Sequence, residues 1–176
     1  GWWVEIVKRL RRRSDIACRL VIEITETAQI PSIAEAASFA ARLRSLGCRI
    51  ALDDFGSGHA SIRQLLALKP DIVKVDAFFL GRAELSDQDR AAFQHIVGLA
   101  KALAPVVVVE GAKSEALFQI AEAAGSPWQQ GNYLDRPTTF RPWLTSEDLV
   151  RITALERLQA RFEDAGADPQ SRGVSS

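Results

Sequence analysis

Runs of β-branched and aliphatic residues alternate along the chain with stretches whose apolar positions recur at helical spacing. Five runs have the length of a strand, and they lie at residues 19–25, 49–55, 72–76, 106–110 and 128–131. The chain opens with an amphipathic helix. Helical spacing of the apolar residues then predicts further helices at residues 32–46, 87–103 and 114–124, and one more that ends at Leu68. The alternation of nearly continuous apolar strands with helices predicts a parallel sheet covered by helices.

Two α/β architectures fit this alternation, a doubly wound sheet and a (β/α) barrel. The polar residues favour the barrel, because barrel enzymes carry their functional groups at the carboxyl ends of successive strands. Each predicted strand has such a residue at or near its end: Glu23, Asp53, Lys74, Glu110 and Gln130. A complete barrel needs about eight strands and about 250 residues. The pattern therefore predicts a partial TIM-like (β/α) barrel of about five parallel strands with outer helices.

The composition excludes several classes of partner. Lysine plus arginine equals aspartate plus glutamate at 22 each, so no overall field favours a DNA or RNA polymer or an anionic membrane. No apolar stretch approaches the roughly 20 residues of a membrane span, and no signal-peptide pattern precedes the first helix. We therefore expect no membrane contact within this segment. The expected location is the bacterial cytoplasm, with any sensor or membrane domain outside the segment.

Cys18 and Cys48 are expected to be buried free thiols.

Acidic side chains that meet at one rim of a barrel would repel one another unless a cation neutralised them. The predicted donors are carboxylates, without histidine or thiolate, which favours Mg²⁺ or Mn²⁺ over zinc. The adjacent Asp53 and Asp54 suggest two ions. Two ions suit phosphodiester hydrolysis, because one can activate water and the other can stabilise the leaving oxygen. Lys74 would then orient the water or offset charge on the phosphate.

Each of these residues also has a structural interpretation. An aspartate before Phe-Gly at a strand end is often a turn or helix-cap residue, and Lys74 suits an ion pair with Asp76 at the rim. Together, however, the five strand ends favour a common site over five separate structural roles.

Five segments of the chain occur in the order and approximate spacing of the EAL domain family: 23–26, 53–58, 74–76 with Phe79, 110–111, and 130–131 with Tyr133 and Pro137. Over about residues 1–140 the chain therefore resembles this family of cyclic di-GMP phosphodiesterases. The resemblance implies metal-dependent hydrolysis of cyclic di-GMP to the linear dinucleotide pGpG, with Mg²⁺ or Mn²⁺ as the cofactor.

Carried over position by position, the resemblance implies three metal ligands and three catalytic residues: Glu23, Asp53 and Asp54, then Lys74, Glu110 and Gln130. In the family, the lysine holds the attacking water. The second glutamate is a proposed general base or further ligand, and the glutamine contacts the water and the metals. The loop from Phe55 to Ser61 resembles a mobile loop that links metal binding to a homodimer.

The chain departs from the family pattern at several places. In the family, the glutamate of a Glu-Ala-Leu motif and an asparagine on the strand before Glu23 are both metal ligands, and neither has a counterpart ahead of Glu23 in this chain. We therefore expect the C-terminal part of an EAL domain without its N-terminal strands, inactive in isolation and catalytic in a full-length parent protein. Lys113 occupies the position of a glutamate that anchors the mobile loop in the family.

Two other functional hypotheses stay open at this point. A degenerate EAL module would bind nucleotide or protein without turnover, and Lys113 favours it. An unrelated Mg²⁺-dependent barrel enzyme would need another explanation for the ordered motifs. We assign residues 1–144 to a partial EAL barrel domain. Residues 145–176 are assigned to a C-terminal amphipathic helix and a disordered tail.

Overall fold

The fold was determined from a computed structural model, which describes residues 2–25, 32–57 and 62–138. Helices and strands alternate through these ranges in the order α1 (Trp2–Arg12), α2 (Ser14–Ala17), β1 (Val21–Thr25), α3 (Ile33–Arg44), β2 (Arg49–Phe55), α4 (Ile62–Leu68), β3 (Ile72–Val75), α5 (Ala77–Ala83), α6 (Asp87–Leu103), β4 (Val106–Glu110), α7 (Glu115–Ala123) and β5 (Trp128–Gln130). The predicted C-terminal helix and tail, and the domain boundary at residue 144, lie outside the described residues.

The five strands form one sheet in which every neighbouring pair is parallel. Their order in space is their order in sequence, β1-β2-β3-β4-β5. A doubly wound sheet reverses its strand order at a switch point, whereas the wall of a barrel proceeds in one direction. The five described strands follow the barrel pattern, and the prediction of five parallel strands is confirmed.

The core lies between the sheet and the helices that connect its strands. The side chains of Val73 and Val75 on β3 and of Val109 on β4 are completely buried. Helix α6 contributes Phe93, Val97 and Ala100, whose spacing places them on one face of the helix. Burial of these apolar surfaces is the main favourable term that holds the helices on the sheet.

Serine side chains begin three of the helices. Ser32, Ser86 and Ser114 each accept a hydrogen bond from a backbone N–H three residues later, which satisfies a donor that the helix itself leaves unpaired. After α3 the chain turns at Gly47, whose φ of 99° is open to glycine and strained for other residues.

The sequence patterns missed two short helices, placed the start of β1 two residues too early, and extended β3 and β5 one residue too far. Helix α2 has four residues and α5 has seven, which is too short for a clear helical period. Strand β1 begins at Val21 because residues 18 and 19 form the turn that ends α2. The expectation of two buried thiols was wrong for Cys18, which is exposed, and right for Cys48. Burial raises the pKa of the Cys48 thiol.

Among the described residues, no helix combines the length and the apolar character that crossing a bilayer requires.

Candidate metal centre

The carboxyl ends of the strands meet at one edge of the sheet. The register pairs Thr25 with Asp53 across β1 and β2, and it pairs Glu110 with Gln130 across β4 and β5. Lys74 lies on β3, between the strands that carry Asp53 and Glu110. The parallel register therefore brings the predicted polar strand ends to the same edge, as the sequence pattern required.

Three carboxylates form a compact cluster at this edge. Oxygen atoms of Asp53, Asp54 and Glu110 all lie within 4.8 Å of one another, and the three residues are partly buried. Two of them come from β2 and one from β4, so the cluster spans the central strand β3. This spacing is compatible with several oxygen ligands on one small cation.

A backbone irregularity allows both aspartates to join the cluster. Consecutive side chains of a regular strand point to opposite faces of the sheet. The pairing of β2 with β3 shifts between Leu52 and Phe55, and Asp54 within this interval has a φ of 57°. Aspartate tolerates this left-handed conformation better than most residues. The bulge thus redirects Asp54, and its carboxylate lies in the same cluster as that of Asp53.

Lys74 lies among the carboxylates. Its ammonium nitrogen is 2.6 Å from Oδ1 of Asp53, 2.8 Å from Oε1 of Glu110 and 3.6 Å from Oε1 of Glu23. Only 12% of the Lys74 side chain is exposed. Burial lowers the pKa of Lys74, but the hydrogen bonds to Asp53 and Glu110 outweigh it and raise the pKa above the ordinary lysine value. The side chain is therefore charged at neutral pH.

The other two predicted site residues lie at the border of the cluster. Glu23 contacts Lys74, but it does not belong to the group of three acids, and about half of its side chain is exposed. Gln130 ends β5 and is exposed. The loop Phe55–Ser61, predicted as a dimer contact, lies partly outside the described residues.

Loop contacts fix the backbone around Glu110 and Gln130. The N–H of Ala112 donates to the carbonyl of Gln130 at 3.1 Å, and the N–H of Tyr133 donates to the carbonyl of Ala112 at 3.0 Å. A Cβ atom at Gly131 would overlap the backbone of Ala112. Because Gly131 permits this close approach, the segments that follow β4 and β5 pack directly on each other. The sequence alone gave no sign of this contact.

A further contact that the sequence did not reveal lies beside the aspartate pair. Gly56 follows β2 with a φ of 100°, and a Cβ atom there would overlap the ring of Phe79 on α5. Asp76, considered above as a partner of Lys74, instead accepts a hydrogen bond from the N–H of Phe78 at 2.7 Å and caps α5. Helix α5 therefore packs against the loop that follows Asp54.

The charges and donor atoms fit a divalent metal ion. Three carboxylates lie within 3.6 Å of the ammonium nitrogen of Lys74, and Asp54 lies in the cluster with two of them, so these described acids outnumber the one positive charge. The three clustered acids offer only oxygen atoms, which small hard cations prefer. A parallel sheet with this acidic group at the ends of its strands defines the chain as part of a barrel-type protein with a candidate metal site.

The chain belongs to the EAL domain family. The family model described as "EAL domain" matches residues 2–137, which is most of the chain. The resemblance to this family that the sequence motifs indicated is therefore confirmed. EAL domains are TIM-like barrels, so the predicted partial TIM-like (β/α) barrel is confirmed as well.

Relatives in this family have named activities. Cyclic di-GMP phosphodiesterase PdeF of Escherichia coli is 28% identical over 151 residues, which cover 86% of this chain and 20% of PdeF. Cyclic di-GMP phosphodiesterase RocR of Pseudomonas aeruginosa is 33% identical over 118 residues, which cover 67% of this chain and 30% of RocR. The chain thus spans less than a third of the length of these two relatives.

A solved structure shares the fold and contains a metal. The complex of Klebsiella pneumoniae BlrP1 with manganese and cyclic di-GMP has a TM-score of 0.59 and 29% sequence identity. The similarity covers 65% of this chain and 29% of that chain.

Proposed function

We propose that this chain supplies the metal-binding and catalytic edge of a phosphodiesterase that hydrolyses cyclic di-GMP to pGpG. The observation that carries the proposal is the cluster of Asp53, Asp54 and Glu110 at the strand ends, with Lys74 in contact with Asp53 and Glu110. Membership in the EAL family and the named activity of its relatives support the choice of substrate. In this reaction, water adds across one phosphorus–oxygen bond of the cyclic dinucleotide and opens the ring.

Mg²⁺ or Mn²⁺ is the proposed cofactor, and Asp53, Asp54 and Glu110 would hold it. Glu23 is a further proposed ligand from β1, and the manganese in the Klebsiella relative supports an ion of this class. When bound, such ions supply an activated water and offset negative charge on the phosphate. The oxygen-only donor set is the feature of this chain that favours Mg²⁺ or Mn²⁺ over zinc.

The protein groups of the site have separate roles in the proposed reaction. The ammonium group of Lys74 is placed to orient the attacking water or to offset charge on the phosphate. A carboxylate oxygen of Glu110, partly buried beside Lys74, is placed to accept the proton of that water. The amide of Gln130 is exposed at the adjacent strand end, where it can donate to and accept from water.

Cyclic di-GMP is the proposed ligand, and a homodimer through the loop Phe55–Ser61 is the proposed assembly. The dimer and the cytoplasmic location both stay predictions from the sequence.

The hydrolysis is tested by measuring pGpG formation from cyclic di-GMP with Mn²⁺, in the natural protein that carries this segment. We expect Asp53→Asn to lower the rate by at least about a hundredfold, because it removes one charge from the candidate metal ligands. Asp87→Asn is the matched control, since it removes an exposed carboxylate at the start of α6. Retained turnover in Asp53→Asn would remove Asp53 from the site.

A second candidate function is a non-catalytic EAL module that binds cyclic di-GMP without cleaving it. Lys113 favours this candidate, because it places an exposed positive charge three residues after Glu110, where the family carries a glutamate. The two candidates differ in one measurement on the natural protein. Binding of cyclic di-GMP without formation of pGpG supports the module, and Mn²⁺-dependent formation of pGpG excludes it.

A further inference from the structure

We propose that Lys74 competes with the divalent ion for the same carboxylates, so that metal binding releases its ammonium group from Asp53 and Glu110. The inference rests on the metal site of the proposed function and assigns Lys74 a role before the reaction begins. Lys74 then controls how tightly the site binds its ion, in addition to any part it has in catalysis.

The contacts of Lys74 support this role. An ammonium group has three N–H donors, and three carboxylates lie within 3.6 Å of its nitrogen. They come from β1, β2 and β4, so one side chain on β3 draws together three other strands. Two of the three, Asp53 and Glu110, also belong to the cluster that could hold a metal. If an ion bound to Asp53 and Glu110, the ammonium group of Lys74 would lie within hydrogen-bonding distance of the same two carboxylate ligands.

The ammonium group cannot escape this competition easily. The side chain is only 12% exposed, and its nitrogen lies 2.6 Å from Oδ1 of Asp53 and 2.8 Å from Oε1 of Glu110. A second cation that binds these two carboxylates therefore has to share them with an ammonium group already in contact with both. In the proposed competition, the ammonium group moves away from at least one of the two shared carboxylates.

An opposite role for Lys74 makes a different prediction. If Lys74 only held the carboxylates in place for the metal, its removal would loosen the ligands and weaken metal binding. If Lys74 competes, its removal leaves the acids repelling one another until an ion arrives, and metal binding becomes tighter. The sign of the change in affinity therefore distinguishes a competing cation from a supporting one.

The first experiment compares Lys74→Met with the wild-type chain after treatment with a chelator. Free Mn²⁺ is followed by electron paramagnetic resonance during titration. We expect the dissociation constant of Lys74→Met to fall about tenfold, the order of magnitude of a hydrogen bond between charged partners. Without metal, the melting temperature of the variant should be lower than that of wild type, and Mn²⁺ should raise it more. Lys101→Met, which removes an exposed lysine bound to the Gly125 carbonyl, should leave the Mn²⁺ affinity unchanged.

The second experiment uses the wild-type chain and does not depend on the folding of a variant. The ¹⁵N signal of the Lys74 ammonium group is followed by NMR while Mg²⁺ is added, with Lys101 as the internal reference. We expect the Lys74 signal to shift in proportion to the Mg²⁺ bound, because the ammonium group leaves part of its carboxylate environment.

Three results would overturn the proposal. Weaker or unchanged Mn²⁺ binding in Lys74→Met would assign Lys74 a supporting role or none, and the metal site would stand. A Lys74 signal that stays constant while Mg²⁺ binds would have the same meaning. Absence of Mn²⁺ binding in both the wild type and the variant would remove the metal site of the proposed function together with the competition.

Discussion

The backbone of Asp54 occupies the left-handed region, and this one conformation places two consecutive aspartates in one cluster. Had β2 remained regular, the two carboxylates would lie on opposite faces of the sheet. The chemistry of the site thus depends on a local backbone feature as much as on the acidic residues themselves. Leu52 and Phe55, on either side of the aspartates, are both buried and hold the irregular segment in the core.

The cost of this conformation predicts a difference between two variants. Asp54→Asn and Asp54→Ala both remove the charge, but asparagine tolerates positive φ and alanine does not. We expect Asp54→Ala to be less stable than Asp54→Asn by about 1 kcal/mol, the lower end of the usual penalty for a left-handed residue. Urea denaturation of the two variants in the presence of a chelator measures the difference. Equal stabilities would mean that the backbone at residue 54 relaxes without strain.

The residue types of the site could be predicted from the sequence, but their contacts could not. Polar residues at the ends of apolar strands indicated Asp53, Lys74, Glu110 and Gln130, because parallel strands end at one edge. The bulge at Asp54 and the ion pairs of Lys74 depend on the register between strands, which no local pattern records. For the same reason, the sequence did not separate Glu23 from the three clustered acids.

Among the helices and strands, the predictions that agreed best with the structure were those with the strongest hydrophobic pattern in the sequence. Strands β2 and β4 and helix α6 begin and end at the predicted residues, since each is a long or strongly apolar segment. Helix α5 was missed because it has seven residues and depends on the cap from Asp76 and on packing against neighbouring elements. Tertiary contacts of this kind override weak local propensity.

The close packing after β4 and β5 yields a prediction for Gly131. We expect Gly131→Ala to destabilise the chain by about 2 kcal/mol, because the added Cβ atom would force apart two backbone segments. The same substitution at Gly98 is a matched control. Gly98 lies within α6 with open space around it, so alanine there should stabilise the helix by about 0.5 kcal/mol.

Urea denaturation of both glycine variants provides the measurement. If the free energy of unfolding of Gly131→Ala equalled that of the wild type, the two backbone segments would be able to move apart without loss of stability. In the natural protein, the variant should also reduce pGpG formation, because Glu110 and Gln130 immediately precede the displaced segments.

At the scale of the whole molecule, the charge is balanced, and the acidic site is a local feature. The chain has a formal net charge of zero, yet three carboxylates converge at one edge of the sheet. The composition therefore excluded a strong electrostatic field over the whole molecule, but it could not reveal where the charged residues concentrate. The fold supplied that information, because five parallel strands in sequential order place their carboxyl ends side by side.

The central claim is that Asp53, Asp54 and Glu110 form a metal site, and a crystal of the chain grown with Mn²⁺ tests it most directly. Anomalous diffraction at the manganese absorption edge locates the bound ions without reference to activity. We predict an anomalous peak in contact with carboxylate oxygens of these three residues, and its loss in Asp53→Asn. Manganese bound only elsewhere, or absent from this edge at saturating Mn²⁺, would contradict the account.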